Sequence, residues 1–235
     1  KVNSILIVFR SCSKINIWTQ KKKRIFEAPR FEYTLRSINS LIKSTKNAIH
    51  LLPKINFEII IVDDNSDENT VKKIISLIKS SKIKYSFFNL NKSEYANFIE
   101  EKNDDETIAN LASLYKCYLI GKQKSEDLVF FIEDDYLHGL NTIHEMILTY
   151  ERLASQLNKE IFLCPSDYPY LYQRSENTNV LLGNTRHWQI VQQSLCSFLT
   201  SKIMIEKYWD SFLKTCKKRN DPFEKHFHEI YKTEY

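Results

Sequence analysis

The chain has 235 residues, with 34 basic and 29 acidic side chains for a formal net charge of +5, and only three glycines. Average composition would supply about 7% glycine, or roughly sixteen residues in a chain of this length. Gly121, Gly139 and Gly183 lie too far apart for a dinucleotide fingerprint. Lys116 stands where a P-loop ending in Gly121-Lys122 would need its first glycine. These observations exclude a glycine-rich phosphate loop.

The remaining composition indicates a globular protein, with 43% hydrophobic and 27% charged residues. The mild positive charge is typical of a solvated surface, and we expect no nucleic-acid partner. Five scattered cysteines without a C-x-x-C pair argue against a zinc ribbon and against a disulfide framework, and indicate a reducing compartment. No apolar run reaches the roughly 18 residues of a membrane span. We expect a cytoplasmic or membrane-peripheral protein; because the chain begins at Lys1 without a methionine, a removed anchor or neighbouring domain stays open.

Short apolar runs alternate with helical patterns from residue 4 to residue 164. Buried strands are predicted at 4–9, 57–62, 83–87, 128–132 and 161–164. Apolar residues near the 3.6-residue period predict helices within 30–52, 71–78, 108–119 and 140–153. A long polar loop is predicted at 89–105, and beyond Pro165 we expect loops, short strands and one helix near 202–218. The alternation indicates an α/β fold with a doubly wound sheet.

Two of the predicted strands end in acidic clusters, Asp63-Asp64 and Glu133-Asp134-Asp135. Ligands of open α/β sheets bind outside the carboxyl ends of strands. Adjacent carboxylates repel each other unless a cation or a donor-rich ligand shares them. Two simpler explanations stay open, since Asn65-Ser66-Asp67 could cap the following helix and surface carboxylates can be solvated.

Other protein classes with acidic motifs are excluded because the sequence lacks residues that their motifs require. A calcium loop starting at Asp63 would need glycine and glutamate where Glu68 and Ile74 stand. A haloacid dehalogenase-type phosphatase would need a second aspartate at Asn65, and a phosphoreceiver domain would be about half as long. His144-Glu145 lacks the second histidine of a zinc-protease helix.

The stretch FEIIIVDDNSDENT at 57–70 resembles the strand-two signature of GT-A-fold, family-two-like glycosyltransferases, usually hhhVDDgSxDxT. Asn110 resembles the family's helix asparagine, and the apolar strand ending in Glu133-Asp134-Asp135 resembles its D-x-D metal motif. The resemblance covers about residues 3–165. It implies a GT-A-type (Rossmann-like) mixed, mostly parallel sheet with helices on both faces and a divergent C-terminal third. We expect one domain over 1–235, with a nucleotide-binding half (1–135) and an acceptor-binding half (136–235).

The resemblance also implies the activity, a metal-dependent transfer of a sugar from a nucleotide-sugar, such as a UDP-sugar, to a carbohydrate or other hydroxyl acceptor. Asp63 or Asp64 would accept hydrogen bonds from the nucleobase and ribose. The donor-binding residues implied are Arg10, Asp63, Asp64, Asn110 and Asp134. Those implied to hold Mn²⁺ or Mg²⁺ are Glu133, Asp135 and His228. Arg10 or Arg30 could neutralise the leaving diphosphate.

The family's Glu-Asp pair near the C-terminus, whose aspartate deprotonates the acceptor in inverting members, is absent in its usual form. Asp221 occupies a comparable place and is the predicted general base, with Asp167 and Glu224 as further candidates. A helix cap is the alternative role for Asp221.

Aromatic residues in the C-terminal third predict an acceptor site, because aromatic faces stack on sugars. The predicted acceptor-binding residues are Tyr168, His187 and Trp188. A small accessory core is the alternative explanation for these side chains. Two other functions stay open for the whole chain, a sugar-phosphate nucleotidyltransferase and a non-catalytic basic binding module on the same fold.

Overall fold

The computed structural model of the protein describes residues 1–14, 28–101, 104–166 and 178–234. Its central sheet has five strands in the order β3-β2-β1-β4-β7. The bounds are β1 (Ser4–Ser11), β2 (Asn56–Asp63), β3 (Lys84–Asn89), β4 (Leu128–Glu133) and β7 (Phe198–Ser201). The first four strands run parallel, and β7 pairs antiparallel with β4. A separate hairpin consists of β5 (Val180–Leu182) and β6 (His187–Gln189). The predicted mixed, mostly parallel sheet is confirmed.

Helices cover both faces of this sheet. They are α1 (Arg30–Leu51), α2 (Glu68–Ser81), α3 (Asp105–Lys124), α4 (Thr142–Leu157), α5 (Lys202–Lys207), α6 (Trp209–Lys217) and α7 (Lys225–Glu234). Along β1, Ile5 and Ile7 pack in the core that includes residues of α1, α2 and α4, whereas Leu6 and Val8 pack in the core that includes residues of α3, α6 and α7. Both faces of a parallel strand are buried in this way, which explains the continuous apolar runs in the sequence.

Capping side chains begin three of the described helices: α2, α3 and, through Ser201, α5. Asp67 accepts a hydrogen bond from the amide of Thr70 at 2.9 Å and thereby caps α2. Asp104 accepts one from the amide of Thr107 at 2.6 Å at the start of α3. The capping explanation for the first acidic stretch is therefore correct for Asp67, which leaves Asp63 and Asp64 to be explained.

The C-terminal third differs from the sequence-based expectation. The strand predicted at 161–164 is wrong in extent, because only Leu163 forms a bridge, to Leu199 in the short strand β7. The single helix expected near 202–218 is two helices, interrupted at Tyr208, whose backbone (φ −109°, ψ 23°) leaves helical geometry. Helix α7 was not predicted. The polar stretch 89–105 contains a short 3₁₀ helix, Lys92–Tyr95. Within the described ranges no helix is both long and apolar enough to cross a membrane.

Candidate active site

The sheet register brings the two acidic clusters to one edge of the molecule. Strand β1 lies between β2 and β4, with Ser11 beside Asp63 on one side and Arg10 beside Glu133 on the other. All three strands are parallel, so their carboxyl ends meet at the same edge. The two clusters therefore flank the end of β1, where the sequence predicted a ligand site.

Asp63 and Asp64 have different environments although they are neighbours. The Asp63 carboxylate is buried and accepts hydrogen bonds from the Ser11 hydroxyl at 2.6 Å and the Ser66 amide at 2.9 Å. In the described part of the chain, nothing donates a hydrogen bond to the carboxylate of Asp64. Burial raises the pKa of Asp64, and Asp63 adds to this effect, while Arg10 and Lys92 oppose it. Asp63 thus stabilises the turn after β2, and Asp64 is the carboxylate left to accept from a ligand.

Arg10 connects the second acidic cluster to α3. One guanidinium nitrogen, Nη2, forms an ion pair with Glu133. The other, Nη1, donates to the side-chain oxygen of Asn110 and to the Ser113 hydroxyl, both at 3.3 Å. Burial alone would lower the pKa of Arg10, but Glu133, together with Cys117 and Cys196, raises it overall. The structure thus brings Arg10 and Asn110 together and orients Glu133 through Arg10, whereas the role of both residues in donor binding stays a prediction.

Asp134 is buried and attaches the end of β4 to α1. It accepts hydrogen bonds from the Thr34 hydroxyl at 2.7 Å and the Cys12 amide at 3.0 Å, and it forms an ion pair with Arg30. Burial raises the pKa of Asp134 to about 6, against the opposing effect of Arg30. Asp135, by contrast, has a side chain that is 42% exposed, with Nη1 of Arg30 at 3.9 Å. Asp135 is consequently the most accessible carboxylate of this cluster.

The donor set at this edge suits a hard divalent cation. Mg²⁺ in such sites is commonly held by one or two carboxylates and completed by substrate phosphates. Asp135 offers an exposed carboxylate, and Glu133 is partly exposed beside Arg10. Across residues 1–14, 28–101, 104–166 and 178–234, no three histidine, cysteine or acidic side chains come together as metal ligands. A cation here would thus depend on the phosphates of its ligand.

His228, the predicted further metal ligand, lies on α7 in the C-terminal core. Its Nε2 atom is 3.2 Å from the carbonyl oxygen of Ser194 and 3.4 Å from the Ser194 amide nitrogen. The ring is buried and tilted against Tyr231. In the present arrangement His228 is therefore bound to Ser194, and a role as metal ligand stays a prediction.

The two described candidates for general base occupy different environments. Asp221 is exposed in the turn before α7. Glu224 is half-buried, with Oε1 at 4.0 Å from the sulfur of Cys196. The next residue, Ser197, accepts a hydrogen bond from the amide of Glu133 at 3.2 Å. Burial, and secondarily Glu133, raise the pKa of Glu224. Glu224 thus lies on the side of the sheet edge that carries Glu133.

Asp167 and Tyr168, predicted as catalytic and acceptor-binding, lie outside the described residues. The other predicted acceptor residues, His187 and Trp188, lie on β6; His187 is exposed and Trp188 is half-buried.

The hairpin that carries them is held on α4 by Glu145, a residue that sequence reasoning did not select. The Glu145 carboxylate accepts hydrogen bonds from the amides of Thr185 (2.9 Å) and Arg186 (3.1 Å) and from the hydroxyl of Thr149 (3.0 Å). Burial opposes the charged form, but these donors outweigh it and lower the pKa of Glu145 to about 2. At 3.6 residues per turn Glu145 lies on the side of the helix opposite Ile143 and Ile147, so the helical pattern gave no signal for this role.

Comparisons with known proteins agree with this geometry. The family model for glycosyl transferase family 2 matches residues 27–99, which include Asp63 and Asp64. The match confirms the resemblance of the VDDNSDENT stretch to this family. Together with the sheet order it confirms the GT-A-type fold. No curated protein sequence is significantly similar to the chain.

Several solved structures are similar in outline. The structure of S. aureus TarS 1-349 has 13% identity and a TM-score of 0.45, covering 87% of this chain and 48% of its own. The galactosyltransferase LgtC, in complex with donor and acceptor sugar analogs, has 13% identity and a TM-score of 0.35. It covers 90% of this chain and 65% of its own. The structure of M. tuberculosis glucosyl-3-phosphoglycerate synthase with Mn²⁺, UDP and phosphoglyceric acid has 15% identity and a TM-score of 0.29. It covers 64% of this chain and 39% of its own. The chain thus spans about half the length of the TarS structure.

Proposed function

We propose that the chain is a metal-dependent glycosyltransferase that moves a sugar from a nucleotide-sugar, such as a UDP-sugar, to a hydroxyl acceptor. The observation that carries this proposal is a pair of carboxylates at one sheet edge that accept no side-chain hydrogen bond from the described residues. Asp64 and Asp135 flank the end of β1, whereas their neighbours Asp63 and Asp134 are bonded within the protein.

The chemistry of these groups supports binding of a nucleoside diphosphate. Asp64 can accept hydrogen bonds from the nucleobase and ribose, since a carboxylate only accepts. Asp135, with Glu133, would hold Mn²⁺ or Mg²⁺, which when bound neutralises charge on the leaving diphosphate. Among the described residues, buried Nη1 of Arg30 has no hydrogen-bond partner, so it is a donor available to a phosphate oxygen. Arg10 and Asn110 orient Glu133.

The transfer we propose inverts the configuration at the anomeric carbon. The acceptor hydroxyl attacks that carbon, the bond to the diphosphate oxygen breaks, and UDP leaves with the bonding electrons. A carboxylate takes the hydroxyl proton. Asp221 is the base predicted from the sequence, but the half-buried position of Glu224 on the side of the sheet edge that carries Glu133 favours Glu224. Glu224→Gln and Asp221→Asn form a matched pair, and the variant that lowers turnover while UDP binding is retained identifies the base.

The arrangement of the chain and its location also belong to this proposal. Residues 1–135 would bind the donor and 136–235 the acceptor within one domain. Within the described residues, Cys117, Cys164, Cys196 and Cys216 form no disulfide, which supports a reducing, cytoplasmic location.

Calorimetric titration with UDP, with and without Mn²⁺, tests the proposed function. We expect binding that depends on Mn²⁺ and that weakens about tenfold or more in Asp64→Asn, because a hydrogen bond to a charged group contributes ~1.5–3 kcal/mol. Asp135→Asn should remove the dependence on Mn²⁺. Asp210→Asn, at an exposed position on α6, is the matched control. The proposal fails if UDP does not bind in Mn²⁺, or if Asp64→Asn binds UDP as the control does.

A further inference from the structure

A groove of about 580 Å³ lies between α4 and the β5–β6 hairpin. This volume is within the range of ~300–1,000 Å³ typical of small-ligand sites. Its apolar lining includes Leu153, Leu157, Ile161, Leu163, Leu181 and Ile190. The groove also has polar lining: Thr185, Arg186 and His187 from the hairpin, and Ser166, Gln193 and Ser194 from the segments on either side of it. A ligand that fills it must therefore combine apolar and polar surface.

The polar lining at Ser194 leads toward the acidic clusters. Ser194 lines the groove, and its hydroxyl is held by the hydroxyl of Tyr231 at 2.7 Å. Ser197, three residues further along, accepts the hydrogen bond from the amide of Glu133. Three residues of chain span at most about 10 Å, so Ser194 lies near the strand end that carries Glu133.

The hairpin forms one wall of the groove, and hydrogen bonds and close packing fix it on α4. Glu145 accepts hydrogen bonds from the hairpin amides of Thr185 and Arg186. Gly183 brings the hairpin so close to α4 that an added Cβ would lie 2.4 Å from the Thr149 hydroxyl oxygen and 2.5 Å from the Trp188 ring. The groove is consequently a fixed feature of the fold.

Apolar side chains at the groove are exposed to solvent. Leu140 is 59% exposed and Leu157 is 40% exposed, and both line the groove. A ligand with apolar surface would remove them from water, which is favourable, whereas a wholly polar sugar chain would leave that surface unmatched.

We propose that this groove binds the acceptor and that the acceptor is amphipathic. Its reacting hydroxyl would lie at the Ser194 end, toward Glu133, and an apolar alkyl or aryl group would lie along the leucines. The assignment of this ligand as the acceptor rests on the proposed function.

Calorimetric titration with methyl, octyl and phenyl β-D-glucoside tests the inference, with octyl glucoside kept below its micelle-forming concentration. We expect octyl or phenyl glucoside to bind about tenfold tighter than methyl glucoside, because of the apolar area that each buries. Preference for octyl indicates an alkyl carrier, and preference for phenyl an aryl group. Leu157→Glu should abolish this preference. Leu182→Glu is the matched control. Leu182 follows the groove-lining Leu181 on β5, is 46% exposed, and is not among the described residues that line the groove.

The inference is overturned if the three glucosides bind equally, or if Leu157→Glu and Leu182→Glu behave alike. UDP binding measured on the same samples separates this result from the proposed function. If UDP binds in Mn²⁺ without a preference among glucosides, only the groove assignment fails. If a Leu157-dependent preference occurs without UDP binding, the groove binds amphipathic molecules but the proposed function, and with it the acceptor role, fails.

Discussion

Replacing Glu145 by glutamine tests how the hairpin is held over the groove. The carboxylate accepts hydrogen bonds on both oxygens, including two from the amide of Thr185 at 3.0 and 2.9 Å. Glutamine keeps nearly the same shape, but it has one acceptor oxygen and turns an NH₂ group toward backbone N–H donors. The variant therefore removes the charge and part of the hydrogen bonding while it leaves the packing of α4 intact.

The magnitude follows from the pKa of Glu145, which is lowered from 4.5 to about 2. Each pKa unit corresponds to ~1.4 kcal/mol, so the charged carboxylate stabilises the folded protein by about 3 kcal/mol at neutral pH. Because the folded-state pKa is depressed, this stabilisation is complete above about pH 4.5 and is lost as the pH falls toward 2. We expect Glu145→Gln to lower the free energy of unfolding by about 2–3 kcal/mol at pH 7 and by much less near pH 2.

Urea unfolding at several pH values measures this difference. Hydrogen exchange at the amides of Thr185 and Arg186 reports local opening of the hairpin, and should be faster in the variant. Glu126→Gln, at an exposed turn position, is the matched control. The reasoning is refuted if Glu145→Gln unfolds with the same free energy as the control at pH 7 and exchanges these two amides no faster.

Further variants separate the roles of neighbouring residues. Asp63→Asn should lower the free energy of unfolding by about 1–3 kcal/mol, since its carboxylate satisfies the Ser11 hydroxyl and the Ser66 amide. Asp64→Asn should leave the free energy of unfolding unchanged or raise it, because no described residue donates to its buried carboxylate. Thermal unfolding of the two variants side by side measures both effects. Equal losses of stability in the two variants would contradict the different roles assigned to Asp63 and Asp64. Gly183→Ala should cost about 1–3 kcal/mol through the close contacts with Thr149 and Trp188. An unchanged melting temperature for Gly183→Ala would show that the hairpin is not packed as described.

The sheet and the edge that carries both acidic clusters were predictable because their signals are local. Continuous apolar runs at 57–62 and 128–132 indicate strands buried on both faces. The acidic residues directly after them must lie at the carboxyl edge of a parallel sheet. The predicted juxtaposition of Asp63-Asp64 with Glu133-Asp134-Asp135 is accordingly observed on either side of β1.

Which carboxylate of each cluster is hydrogen-bonded within the protein was not predictable from the sequence. Asp63 is bonded to Ser11, and Asp134 to Thr34 and Cys12, and these partners lie 52 to 122 residues away along the chain. No local pattern distinguishes Asp63 from Asp64 or Asp134 from Asp135. The accessible member of each pair is decided by tertiary contacts of β1 and α1.

The C-terminal third was harder to predict for related reasons. Residues 161–164 are apolar enough for a strand, but in the described structure only Leu163 forms a backbone bridge to β7. Helix α7 buries Phe227, Ile230 and Tyr231 at helical spacing, yet its 10 residues give a weak periodic signal. Glu145 resembled a fragment of a catalytic motif, and its partners on the hairpin are about 40 residues away.

Release of UDP from a panel of UDP-sugars most directly tests the claim that these carboxylates form the site of a sugar transfer. We predict that the protein releases UDP from at least one donor in the presence of Mn²⁺. Asp135→Asn should lower this rate about tenfold or more, whereas Asp210→Asn should not. Binding of UDP in Mn²⁺ with no release from any donor, tested with hydroxyl acceptors present, would contradict the account, as would an Asp135→Asn variant as active as the control.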